Sequence, residues 1–172
     1  MKRQIRKSVF ETNSSSIHSI IISNDFPTKS EIPSVLHFCR DEFGWEWAIY
    51  NNCAKKANYL YECLIDLYYD WKDGSKTKLE QVCNQIKDAL SMYGIECDFE
   101  EVTAKNWDDG YVDHGEENKE LVEYLLSDPK NLIRFLFNYD SCISTGNDND
   151  WYDDEYFGMP KYYDGIRFIK GN

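Results

Sequence analysis

The chain is short of basic residues, short of proline and without any long apolar run, and each shortage closes off a class of protein. Lysine and arginine number 19 against 31 aspartates and glutamates, giving a formal net charge of -12 and a sequence pI of about 4.6. That balance excludes the broad attraction to phosphate backbones on which most nucleic-acid binders rely, so a partner drawn in by charge is basic. No stretch approaches the roughly 18 apolar residues of a membrane span, and the first residues lack the apolar segment of a secretory signal. The chain therefore reads as soluble, in the cytoplasm of its cell. The six cysteines, Cys39, Cys53, Cys63, Cys83, Cys97 and Cys142, form no C-x-x-C pair and have no histidine at zinc spacing, so they read as reduced thiols with no metal site. No Gly/Ser/Pro-rich linker, repeat or low-complexity tract divides the sequence, and 172 residues suit one domain, 1–172, with a real core.

What is present is aromatic and periodic. Aromatic residues make up 16% of the chain, thirteen of them tyrosines, enough to serve both a core and a recognition surface. "IHSIIIS" (17–23) and "SVLHF" (34–38) read as strands, the second with Pro33 at its edge. From Ala54 to Trp71, apolar residues at three- and four-residue intervals predict a helix that "DGS" (73–75) ends. Leu79, Val82, Cys83, Ile86, Leu90 and Tyr93 predict a second helix stopping at Gly94, and the two make a helical hairpin. "IECDFEEV" (95–102) alternates as a half-buried strand does. Shorter helices follow over Glu116–Leu126 and Pro129–Phe137, the latter with Asp128 as N-cap, and "GIRFIK" (165–170) is a last strand. This order predicts an α+β domain: a small mixed or antiparallel sheet packed against the hairpin and two shorter helices.

Three polar segments carry candidate chemistry. In "FETNSSSIHS" (10–19), Asn and Ser side chains suit a turn or cap. The same small residues, Ser14, Ser15 and Ser16, also suit an anion nest, with Arg3, Arg6 and Lys7 supplying charge for a phosphate, and Glu11 and Asn13 beside them are candidates for a polar site. His18 closes the box on a predicted strand, as a hydrogen-bonded structural residue or as a proton shuttle. In "YVDHG" (111–115), His114 is the candidate proton partner of His18 in cleaving RNA at a ribose 2′-hydroxyl, with Asp113 orienting one ring; a solvated acidic loop is the alternative. The third segment, "SCISTGNDNDWYDDEYF" (141–157), lies where no basic residue occurs between Arg134 and Lys161. Carboxylates at i and i+2 of an extended chain project to one side roughly 6.5–7 Å apart, close to the spacing of successive phosphates in a single strand. Asp148, Asp150, Asp153, Asp154 and Glu155, with Trp151 among them, then form a partner-binding nucleic-acid mimic, or else a solvated loop. "GNDNDWYDDE" lacks the glycine of an EF-hand register, so no cofactor is assigned and a divalent cation is the one left open. No G-x-S-x-G elbow supports a serine hydrolase built on Ser15.

"KSVFETNSSSIHS" (7–19), "EFGWE" (42–46), "KKANYLYECL" (55–64), "YVDHG" and "STGNDND" (144–150) together resemble small proteins of bacteriophages and mobile elements of Firmicutes, and the resemblance extends to inhibitors of type II-A CRISPR effectors. It implies an effector nuclease and its guide RNA as partners, in the cytoplasm of a bacterial host. It also implies one shared polar site to which Ser14–Ser16 and His18, Asp113 and His114, and Thr145, Asn147 and Asp148 contribute. Two functions follow. One is guide-RNA damage through His18 and His114 as an endoribonuclease; the other is non-enzymatic blockade of the effector's basic channel by carboxylates. A phosphate-ligand-binding protein unrelated to defence is a third.

Overall fold

The computed structural model describes residues 16–44, 46–103, 109–113, 118–147 and 166–170; for 16, 17, 147 and 166–170 it describes the backbone alone. The chain is α+β, as its sequence predicts. β1 (Ser16–Ser23) is rich in β-branched isoleucine, which packs well on a pleated surface. It pairs antiparallel with both β7 (Cys142–Asn147) and β8 (Ile166–Lys170), and β4 (Ala48–Tyr50) adds to the far side of β7. Among the described residues the sheet runs β4-β7-β1-β8. Ile20 and Ile22 of β1 and Ile143 of β7 point into the core from one face.

A second set of strands is parallel. β2 (Val35–Phe38) pairs with β5 (Glu96–Phe99), and β3 (Glu42–Phe43) pairs with β6 (Tyr111–Val112). These are two separate two-stranded sheets that succeed one another along the chain, together called the ribbon. Between and beyond the pairs, Glu100 N–H donates to Phe38 O, Tyr111 N–H to Asp41 O and Asp113 N–H to Phe43 O.

The helices fill the space between. α1 (Cys53–Tyr68) starts at Asn52, whose Oδ1 accepts from Lys55 N–H, and its burial almost all round makes it the central rod of the core. It ends three residues before the predicted Trp71. Tyr69 is extended, Asp70 bridges to Ser75, and the Asp70 carboxylate takes Lys72 N–H, a local bond that competes with helix. Trp71 is 46% exposed, so its place in the apolar period is accidental. α2 (Thr77–Ser91) pairs with α1 as the predicted hairpin. Its chain then turns at Gly94, φ +74°, where Ile95 N–H returns to Leu90 O, a conformation glycine adopts without penalty. α3 (Lys119–Ser127) begins later than predicted, and residues 116 and 117 lie outside the described set. α4 (Pro129–Phe137) has the predicted bounds, with Asp128 accepting from Lys130 N–H. One apolar cluster joins β1, β2, β3, β6, β7 and all four helices. Among the described residues no helix is long and apolar enough to cross a membrane.

Candidate functional site

The register of β1 on β7 sets His18 opposite Thr145 and Ser16 opposite Asn147, so the first and third polar segments meet at one end of the sheet. His18 shares the core-facing row with Ile20 and Ile22 and is only 3% exposed. Its Nδ1 lies 3.1 Å from the Tyr59 hydroxyl, which donates to Asn118 Oδ1 at 3.5 Å. Which of the two donates in the His18–Tyr59 contact follows from the imidazole tautomer. Burial pushes the Tyr59 phenol well above its ordinary value of 10.0, so it stays neutral. Thr145 is buried and gives its hydroxyl proton to Glu46 O at 2.7 Å. Asp113, the residue after β6, is half-buried. Asn118, three residues past "YVDHG", meets Tyr59 at the same junction.

The remaining predicted site residues, Arg3, Arg6, Lys7, Glu11, Asn13, Ser14, Ser15, His114, Asp148, Asp150, Trp151, Asp153, Asp154 and Glu155, lie outside the described residues, and Ser16 and Asn147 are described by backbone alone. A general base must come within about 2.6–3.2 Å of the proton it takes. The His18 ring, closed off from solvent and in contact with the Tyr59 hydroxyl, has the position of a hydrogen-bonded core residue.

A different array faces outward. Along β5 and into Glu100, Cys97 and Phe99 turn inward, where Phe99 stacks on Phe38 with centroids 4.3 Å apart. Glu96, Asp98 and Glu100 alternate with them, all exposed, a row of carboxylates two residues apart and hence roughly 6.5–7 Å along an extended strand. From β2, His37 Nδ1 meets Asp98 Oδ1 at 2.6 Å, and Arg40 N–H donates to Glu100 Oε2 at 2.9 Å. Exposed Glu42 and Asp109 continue the acidity along the ribbon. The lysines nearby are engaged: Lys76 with Glu101 at 2.9 Å, and Lys87 over the Phe99 ring at 5.6 Å. "ECDFE" carried this signal in the sequence, an acid at each polar position of a strand.

The chain matches no protein-family model, curated protein or solved structure.

The ledge is anchored from beneath by an ion pair whose side chains are 2% and 1% exposed, Arg40 Nε on Glu62 Oε1 at 2.8 Å. Arg40 Nη2 also donates to Gly110 O at 2.7 Å, and Asp41 N–H to Glu62 Oε1 at 2.9 Å. Burial raises the Glu62 carboxyl while Arg40 pulls it back. Alongside, Lys55 meets Asp41 at 2.7 Å and Asn58 Nδ2 donates to the same carboxylate at 3.0 Å. The pair unites residues 22 apart in sequence, and no local pattern announces it.

Among the described residues no group of three or more His, Cys, Asp or Glu side chains is arranged to hold a metal, and all six cysteines are free thiols. Burial raises the Cys39, Cys83, Cys97 and Cys142 thiols, Cys83 to about 12, and raises the Tyr59 and Tyr61 phenols. In the unfolded chain these groups ionise from about pH 9 to 10, whereas the native state keeps their protons. The native state then binds more protons, so stability falls as pH rises through that range. Calorimetric melts from pH 7 to 11 are expected to show a melting temperature that declines steadily above pH 9; a flat profile to pH 11 contradicts the burial of these groups.

Proposed function

We propose that the protein is a non-enzymatic inhibitor that sets its carboxylate ledge against the basic, nucleic-acid-binding channel of an RNA-guided effector nuclease in a bacterial cytoplasm. The observation that carries this is the exposed row Glu96, Asp98 and Glu100, presented on a strand whose other face is packed on α2. The net charge of -12 adds attraction at long range, and the sequence resemblance to type II-A inhibitors supports the choice of effector. Steering of this kind speeds association and weakens steeply with salt.

The test is DNA cleavage by a type II-A effector–guide complex. Charge reversal by Glu96→Lys, Asp98→Lys and Glu100→Lys together is expected to weaken inhibition on the order of a hundredfold, with most of the loss in association rate. Asp88→Lys, Glu120→Lys and Glu123→Lys on α2 and α3 make the same change in net charge elsewhere and are expected to cost less than about fivefold. Equal losses in the two triple variants refute the ledge, and wild-type protein without effect on any type II-A effector refutes the function.

A second reading is effector-dependent cleavage of guide RNA at the polar junction where the register sets His18 opposite Thr145, with His114 as second acid–base group; it requires the buried His18 ring to open on the effector. Labelled guide RNA shortened by wild type and left intact by Tyr59→Phe supports it; intact RNA beside lost DNA cleavage returns the function to the ledge.

A further inference from the structure

Two exposed aromatic side chains, Tyr111 on β6 and Trp47 just before β4, each rest on a glycine. Tyr111, 43% exposed, lies over Gly44 so closely that a Cβ there would stand 3.1 Å from its Oη and 3.2 Å from its Cε2. Trp47, 49% exposed, packs on Gly146 of β7, where a Cβ would meet Cδ1 at 3.6 Å. The chain between is fixed at both ends. Glu42 and Phe43 pair with Tyr111 and Val112, and Thr145 holds Glu46 O at 2.7 Å. An aromatic ring held in place while half open to solvent loses little conformational entropy when a partner covers it.

The surroundings say which partner. Exposed Glu42 is the register partner of Tyr111, exposed Asp109 lies two residues before it and exposed Glu46 adjoins Trp47, while the cation Lys55 is paired with Asp41 at 2.7 Å. A nucleobase would bring a phosphate into this acidic field, which repels it. A guanidinium brings a cation that the carboxylates attract and a flat face that stacks on the rings, and it does so better than a compact, strongly hydrated ammonium. Among the described residues the Arg134 guanidinium lies 5.7 Å over the Phe26 ring in the same arrangement.

The geometry points to Trp47 and Tyr111 as a platform for arginine side chains of the basic partner. This rests on the proposed function of the ledge and adds the side chain that the partner presents. Tyr111 belongs to the same ribbon as Glu96, Asp98 and Glu100, so arginines reach the platform as the partner lies along the carboxylates.

The experiment measures binding of fluorescently labelled octa-arginine and octa-lysine peptides and of a labelled single-stranded oligonucleotide to the full chain at fixed ionic strength. Wild type is expected to bind octa-arginine about tenfold more tightly than octa-lysine. Trp47→Ala with Tyr111→Ala removes that preference, weakening octa-arginine far more than octa-lysine. Gly44→Ala, which displaces the Tyr111 ring without removing a charge or an aromatic, reduces the preference in part, with circular dichroism confirming the fold. The triple charge reversal on the ledge weakens both peptides alike. Equal wild-type affinity for the two peptides, or equal loss of both in the double aromatic variant, overturns the platform while salt-sensitive binding keeps the ledge. Tighter binding of the oligonucleotide than of octa-arginine, or no binding of either peptide, overturns the platform and the ledge together.

Discussion

Replacing Arg40 with methionine is expected to cost about 3–5 kcal/mol of folding stability, the range for removing one partner of a buried ion pair. The loss comes from what remains behind. Glu62 keeps only the Asp41 N–H among the donors named above, and Gly110 O loses a donor at 2.7 Å, both in a core from which water is excluded. Gly110→Ala strikes the same joint sterically, since its Cβ would stand 2.7 Å from Asp41 N and closer still to the Glu62 carboxylate. It is expected to cost as much. Neutralising both partners, Arg40→Met with Glu62→Gln, leaves no unpaired charge and is expected to recover about half the loss. Urea unfolding followed by far-ultraviolet circular dichroism measures all three. A loss under about 1 kcal/mol in Arg40→Met, or a double variant worse than the single, means that the pair is not what holds the ribbon to α1.

The elements that the sequence announces are those in which local preference and burial agree. Asp128 and Pro129 form an N-terminal cap that functions without tertiary help, so the bounds of α4 are read directly from the chain. β1 is legible because its isoleucines favour strand and also fill the core. β3 and β6 have two residues each and β4 three, too few to show a period. β7 is the instructive miss. "CISTGN" has one large apolar side chain, Ile143, and is strand because β1 and β4 claim its backbone on both sides. Tertiary pairing, not composition, makes it a strand.

The candidate site divides along the same line. Alternation in "IECDFEEV" was legible and the structure keeps it, so the outward row of acids follows from sequence once its faces are assigned. The aromatic seats were not legible, because Gly44 and Gly146 matter only through rings that long-range pairing lays on them. His18 lay between two readings in sequence, and its contact with Tyr59, 41 residues away, decides which face of the sheet holds it.

Lys56→Met is expected to cost about 2 kcal/mol at pH 7, and the cost should widen as pH rises from about 8 to about 10.5. The side chain is fully buried on α1, and its ammonium donates to Asn138 O at 2.8 Å and Ser141 O at 2.9 Å, stapling the turn that leads from α4 into β7. Methionine keeps the length and apolar stem but removes the donor. Asn138 O still accepts Ser141 N–H at 3.2 Å, so the charge falls mainly on Ser141 O. Burial lowers the Lys56 pKa from 10.5 to about 8. Between those values the unfolded chain binds a proton that the native state has released, so lysine adds stability with rising pH and methionine adds none. Paired urea titrations of wild type and variant at pH 7, 8.5 and 10 measure the difference. A gap that stays constant or narrows shows that the lysine is not buried as a titrating group; a gap that widens locates it beneath the turn that sets β7, and with it Gly146 and the seat of Trp47.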